Sequence, residues 1–429
     1  MVARAWGIVL RAALVLAALA ACGSDRVLHD DADAALSVSD VAPSPDGPTF
    51  HPTYYDVASI VAGQCAGCHA PGGVAPFALA TYDDLASRAE SIAAVTASRS
   101  MPPWPADASG ACGTFVDPRW LTDHELAVFQ QWFADGMPLG APILTVESVP
   151  RIERFTPAVS LASDLAYQIR PGPDEYRCFV VDPGLTEDRY ITALAMQLDR
   201  ADVVHHMQLF AADSAHAERS ITQRDAADPA PGYPCDDEGV GSGLRYVGVW
   251  AGGDTIRRWP DATGIKLEAQ HRLVIQLHYH NHGSEPVLDR SAVALELATS
   301  VEHVGRISST QVTSFALPPH QPDVTISTLG GLPLGGPEYI RGARIHMHAL
   351  GTSARMELVR GEQTSCVLEI PTWDVGWQLF YRFAQPIAVQ PGDQIRIRCS
   401  YDTQAQVDVV EWGNGTEDEM CIAYTFLAP

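Results

Sequence analysis

Lysine is nearly missing from this chain. Lys266 is the only one in 429 residues, and 28 basic residues face 52 acidic ones for a net charge of −24. No basic run exists for a polyanion to grip, so nucleic acid and anionic lipid surfaces are excluded as partners held by charge. Long apolar runs are scarce too: one lies at the N-terminus, and no later stretch is long and apolar enough to span a bilayer. Common hydrolase signatures are missing, with no Gly-x-Ser-x-Gly, no His-Glu-x-x-His and no obvious pair of acids tied to an aromatic platform. No repeat with a period of about 20–50 residues is visible. What is there is 46% hydrophobic and 19% charged, enough to build real cores, with 34 glycines and 31 prolines to make turns. The length predicts two to four domains at ~100–200 residues each.

The N-terminus says where the protein goes. Arg4 gives a positive start, Arg11 precedes the apolar stretch 12–21 (AALVLAALAA), and that stretch meets Cys22. This is a secretory signal, too short to span as a helix. Leu19-Ala20-Ala21-Cys22 resembles a bacterial lipobox, in which the cysteine becomes the lipidated first residue. The expectation is a lipoprotein signal over 1–21 and an exported bacterial lipoprotein, periplasmic or anchored at the outer membrane or cell surface. Its membrane contact is then only the lipid on Cys22. The alternative is an ordinary signal peptide with Cys22 a bystander.

Residues 22–50 lack an apolar period and read as a flexible tether. Residues 51–140 carry helical apolar spacing at Tyr55 to Cys65, Asp83 to Ser98 and Leu121 to Gly136, with Thr122 and Glu125 as a capping box. This predicts a small all-α domain, followed by a proline-marked linker over 141–157. From 158 onward the texture is short alternating β runs broken by Gly, Pro, Asn and Asp. Examples are 177–181, 190–198, 203–210, 273–280, 292–297, 341–348, 353–359, 394–399 and 420–426. Their number suits two tandem antiparallel β-sandwiches, divided here as 158–300 and 301–429.

Cys65-Ala66-Gly67-Cys68-His69 is the c-type haem attachment pattern: two thiols for the haem vinyl groups and an adjacent axial histidine. Met101, in Met101-Pro102-Pro103-Trp104, is the favoured second axial ligand, because the prolines stiffen its segment. Met137 is the rival. The region 51–140 resembles a cytochrome c domain; the competing readings of the motif are a redox dithiol and a zinc pair. With Cys22, Cys65 and Cys68 assigned, six cysteines of the nine remain for pairing, and sequence alone does not choose among their connectivities.

Three histidine clusters mark the β region: His205-His206-Met207, His278-Tyr279-His280 with His282, and His346-Met347-His348. On a strand, His-x-His puts both rings on one face. Imidazole suits copper, and a thioether selects Cu(I). Each cluster also has a bland reading, as a polar sheet face or as one buried and one exposed histidine.

The order HHMQLF (205–210), LHYHN (277–281), HMH (346–348) and DEMC (418–421) resembles the copper type II, ascorbate-dependent monooxygenases. The resemblance implies two tandem, jelly-roll-like β-sandwiches facing each other across a solvent gap, each with one copper. His205, His206 and His278 match the first copper's ligands, with His280 left uncertain. His346, His348 and Met420 match the second, where O2 and substrate meet, which makes them the catalytic set; Met420 as ordinary core packing is the bland alternative. It implies the disulfides Cys399–Cys421 and Cys178–Cys235. Cys112 and Cys366 either pair across domains or stay free. Arg344 and Tyr424 match substrate-binding positions of the peptide-acting members, but Ile422 stands where those have Asn, and Arg344 is equally readable as a surface strand residue.

The implied reaction is hydroxylation of a C–H bond of a small organic substrate by O2, with one oxygen atom leaving as water and two electrons supplied from outside. A haem carries one electron at a time. The fused haem is therefore expected to feed the copper at His205, His206 and His278, replacing or supplementing ascorbate, with ascorbate or a redox partner as the external donor. The competing class is a non-catalytic, lipid-anchored haem and copper electron-transfer protein.

Overall fold

The computed structural model describes residues 50–71, 75–141, 155–235, 240–251 and 256–429. The signal, Cys22, the tether to residue 49 and most of the linker lie outside the described residues. Among the described residues no helix is long and apolar enough to cross a membrane.

Helices come first, at Tyr54–Gln64, Ala66–His69, Tyr82–Ala86, Ala89–Ala97 and Asp123–Ala134. The apolar spacing places Val57, Val61, Leu85, Val128, Phe129 and Trp132 in one small core. The capping box forms: Thr122 Oγ1 accepts from the Glu125 N–H at 3.2 Å, and the Glu125 carboxylate accepts from the Thr122 N–H at 2.8 Å. The helix expected over 83–98 is broken at Ser87 and Arg88.

After residue 158 the chain is mostly β. One long sheet runs through Val159–Ala162, Ala292–Ala298, Arg189–Gln197, Thr263–Leu267, His303–Val312, Cys421–Ala428, Glu338–His346 and Tyr381–Val389. A five-stranded sheet covers its first part, in the order Tyr233–Pro234, Glu175–Val181, Leu273–Tyr279, Val204–Ala212, Leu244–Trp250. A four-stranded sheet covers the other part, in the order Val324–Gly331, Gln394–Tyr401, Gly351–Arg360, Gln363–Ile370. Two separate apolar cores fill the two sandwiches. The strand His303–Val312 serves both: it pairs parallel with Thr263–Leu267 and antiparallel with Cys421–Ala428.

The segment 51–140 is not one self-contained unit, in contrast to the expectation. Ala106 and Phe115 are buried in the second sandwich's core, and the Trp104 ring meets Tyr381 edge-on at 5.1 Å. Apolar side chains at 104, 106, 115 and 120 have too little of a helical core to bury in, and the larger sandwich takes them. Cys112–Cys366 staples this contact, so the undecided pair bridges the two regions. Cys178–Cys235 and Cys399–Cys421 are both formed.

Candidate functional site

The first histidine group depends on a bulge. In the pairing of Val204–Ala212 with Leu273–Tyr279, His278 faces His206 while Tyr279 faces Val204, so His205 is the extra residue. A bulge re-aims a side chain, and here it brings two adjacent histidines to one side instead of opposite faces. His205, His206 and His278 each offer a nitrogen, all within 4.8 Å of one another. His205 Nδ1 and His278 Nδ1 are buried with no hydrogen-bond partner, as expected of groups reserved for a metal. Burial lowers the pKa of all three, His278 to about 4 and His206 well below 6.5, so the rings are neutral and competent as ligands.

Tyr176 stacks on His278 at 4.1 Å and 12°. The Asp174 carboxylate lies 3.0 Å from His278 Nε2 and 3.1 Å from His280 Nδ1. The His278 contact is a close approach of the carboxylate to a neutral ring rather than an aligned hydrogen bond, since Nε2 lacks a partner of hydrogen-bond geometry. His280 lies just past the strand end, stacked on His282 at 3.7 Å, and is not part of the three-nitrogen group.

The second group sits where Glu338–His346 pairs with Cys421–Ala428, His346 opposite Ile422. The strand ends at His346, so His348 is placed by the loop and not by strand alternation. The His346 and His348 rings are 5.2 Å apart. His346 Nδ1 contacts Gln378 Oε1 at 2.5 Å, and His348 Nδ1 donates to the Asp418 carbonyl at 2.8 Å. With both Nδ1 atoms engaged, Nε2 is the free donor on each ring. Met420 is 5% exposed and precedes the strand that Cys399–Cys421 anchors. Glu419 is buried, and its carboxylate accepts the N–H groups of His348 at 3.0 Å, Leu350 at 2.6 Å and Met420 at 3.2 Å. Burial nonetheless pushes its pKa up to about 7.

Arg344 is 2% exposed, so it is no surface residue. Its Nε and Nη2 donate to the Gln378 carbonyl at 3.2 Å and Oε1 at 3.1 Å, which puts it behind His346. Tyr424 stacks on Tyr246 at 5.4 Å, with the Arg344 guanidinium 5.9 Å from its ring. Nor does a solvent gap part the two groups: the His205 and His348 rings are 6.3 Å apart. The reason is the loop ahead of Met420, which bonds to Asp174 and Tyr176 of the first sandwich.

In the helical region Cys65 and Cys68 are not disulfide-bonded to each other, and His69 Nδ1 contacts the Phe77 carbonyl at 3.0 Å. Burial pushes the Cys65 thiol to about 12. Met101 follows the Ala89–Ala97 helix, its N–H on the Val95 carbonyl at 3.1 Å, while Met137 packs against the helical core. Sequence reasoning missed Asp174, Tyr176, Gln378 and Glu419. Only Glu419 carried a signal, being an acid between a proposed ligand and the acid that caps its loop.

Residues 305–428 match the copper type II ascorbate-dependent monooxygenase C-terminal domain. The chain is 23% identical to dopamine beta-hydroxylase of Canis lupus familiaris over 247 residues, covering 53% of this chain and 38% of that protein. It is 24% identical to DBH-like monooxygenase protein 1 of Gallus gallus over 304 residues, covering 65% of this chain and 49% of that one. It thus spans between about two fifths and half the length of these relatives. The likeness is to oxidoreductases of the copper monooxygenase family. A solved bacteriophage PM2 capsid protein, P2, aligns over 63% of this chain and 96% of that one at TM-score 0.28 and 10% identity, too slight a likeness to carry an argument.

Proposed function

We propose that this chain is a copper-dependent monooxygenase that hydroxylates a C–H bond of a small organic substrate with O2, served by a c-type haem on its helical segment. The observation that carries the reading is the pair of neutral, part-buried to buried imidazole groups, with the His205 and His348 rings 6.3 Å apart. His205, His206 and His278 would hold one copper, and His346, His348 and Met420 the other. The donor chemistry fits: nitrogen alone at the first, two nitrogens and a thioether at the second. Bound copper supplies one-electron redox chemistry and O2 reduction; overall, substrate, O2, two electrons and two protons give the alcohol and water.

The chain's own groups set the geometry. Gln378 and the Asp418 carbonyl fix the two second-site rings by their Nδ1 atoms. Glu419 ties the His348 loop to Met420. Arg344 supports Gln378 and has committed Nε and Nη2 to it. With Ile422 also at the site, an apolar substrate is favoured over a carboxylate held by Arg344 and Tyr424.

Cys65, Cys68 and His69, with Met101 as second axial ligand, would hold the haem as a one-electron store for the copper sites. The staple at Cys112–Cys366 keeps that segment on the sandwich bearing His346. An external donor, ascorbate or a redox partner, reloads it. The N-terminal signal favours an exported protein lipidated at Cys22.

Metal and haem analysis of the purified chain tests the reading. Two coppers and one haem are expected, with O2 uptake that places one labelled oxygen atom in the product. Zinc in place of copper, or loss of only one copper from the His205→Ala, His346→Ala double variant, overturns it. Two copper sites also weigh against the non-catalytic carrier, since such a carrier needs only one.

A further inference from the structure

We propose that Asp174 is a positioning residue for both histidine groups: it selects the free nitrogen of His278 and pins the turn that leads into the second group. This rests on the copper reading above and adds residues that reading does not use.

The first half of the argument concerns one ring. Asp174 Oδ1 is 3.0 Å from His278 Nε2. A neutral imidazole carries one N–H. A carboxylate beside Nε2 favours the proton there, because the alternative sets a lone pair against an anion. Nδ1 is then left as the free donor: both ring nitrogens are buried without an aligned hydrogen bond, and it is Nε2 that the carboxylate approaches. Carboxylates or carbonyls on the far nitrogen of a ligating histidine act in this way elsewhere.

The second half concerns the turn at 413–418. Asp174 Oδ1 accepts from Thr416 Oγ1 at 2.9 Å, and Oδ2 accepts from the Thr416 N–H at 2.9 Å. Tyr176, stacked on His278, donates its hydroxyl to the Asn414 carbonyl at 2.6 Å. The turn is closed on itself by Asp418 N–H to the Gly415 carbonyl at 3.1 Å and Gly415 N–H to Asp418 Oδ2 at 2.9 Å. Its far end supplies the carbonyl that holds His348 Nδ1. A chain of protein groups therefore runs from His278 through Asp174 and the turn to His348, with no water needed. Both first-sandwich residues that touch His278 this way also grip the turn.

Three measurements test this. In the metal-free, 15N-histidine-labelled chain, long-range proton–nitrogen spectra report His278 as the Nε2–H tautomer, and Asp174→Asn shifts it toward Nδ1–H. The amide keeps the shape but can offer its oxygen to the histidine side or to the Thr416 N–H, not both. Copper affinity at the first site falls about 10–100-fold in that variant. Thr416→Val leaves the His278 tautomer and first-site affinity in place but, in the metal-free chain, speeds hydrogen exchange of the Asp418 amide and moves the His348 ring-nitrogen shifts. A wild-type His278 found as Nδ1–H, or an unchanged tautomer and affinity in Asp174→Asn, overturns the first half. An unchanged Asp418 exchange rate and unchanged His348 shifts in Thr416→Val overturn the second. A wild-type chain that takes up no copper defeats the copper reading instead, while the metal-free tautomer result still decides the role of Asp174.

Discussion

Replacing Glu419 by Gln isolates the cost of one buried charge. Burial raises the Glu419 pKa from 4.5 to about 7, despite three N–H groups that favour the carboxylate. The folded chain therefore holds a proton between those values that the unfolded chain has lost. Stability falls as pH rises through that window, because the unfolded state binds fewer protons. At 1.36 kcal/mol per unit the loss is about 3 kcal/mol, complete above pH 7. Glu419→Gln has no such proton. It gives up part of the acceptor set, a roughly constant penalty of about 1–3 kcal/mol for one N–H left without a partner. The assay is hydrogen exchange of the Cys421–Ala428 amides in metal-free wild type and variant at matched pH, so that intrinsic exchange chemistry cancels. The wild type should lose about 3 kcal/mol of local stability relative to the variant between pH 4.5 and pH 7. A difference that stays flat, or that grows in the wild type's favour as pH rises, refutes the reasoning.

Gln378→Leu removes the acceptor of His346 Nδ1 and strands Arg344 Nη2; copper affinity at the second site should fall about 10–100-fold, with the first site unmoved in a competitive titration. His278 is held at about 4 by burial, so its contribution to stability is complete above 6.5 and is lost as pH falls toward 4. Urea midpoints of the metal-free chain should drop through that window by more than those of His278→Gln. The Cys112–Cys366 bond closes a separation of 254 residues, and Cys112→Ala with Cys366→Ala should release the helical segment to limited proteolysis while the β strands stay protected. A Cβ at Gly305 would stand 2.1 Å from the Phe426 ring, so Gly305→Ala should cost about 1–3 kcal/mol in thermal unfolding, against almost nothing for Gly331→Ala, where no atom lies within 4 Å.

The β architecture and the histidine groups were legible because both follow from local rules. Alternating apolar runs broken by turn residues specify strands, and histidine, unlike leucine, is rarely repeated for packing. The disulfides Cys178–Cys235 and Cys399–Cys421 were reachable only through the family likeness, not from spacing. The convergence of His205 with His206 was legible only through the family likeness, because it needs a bulge fixed by the register of a strand about 70 residues away. Gln378 and Asp174 were invisible for a related reason: a lone amide or acid in a loop has no periodicity, and its role exists only once the chain is folded against a histidine. The stretch 104–120 was assigned to the helical region by proximity in sequence, whereas aromatic burial decides where it goes.

The closeness of the two histidine groups then follows from two independent constraints. One is the shared strand His303–Val312, which hydrogen-bonds into both halves of the long sheet. Around it Phe426, from the last strand, stacks on Trp259 of the first sandwich at 5.0 Å, and Gly305 leaves the room for that ring. The other is the 413–418 turn, held from the first sandwich by Asp174 and Tyr176. A shared sheet alone fixes the backbones at one end and leaves the loops at the other free to part. A turn alone would hold the loops on a flexible junction. Together they oppose rotation about either contact, so protein–protein contacts alone account for the 6.3 Å approach of His205 to His348.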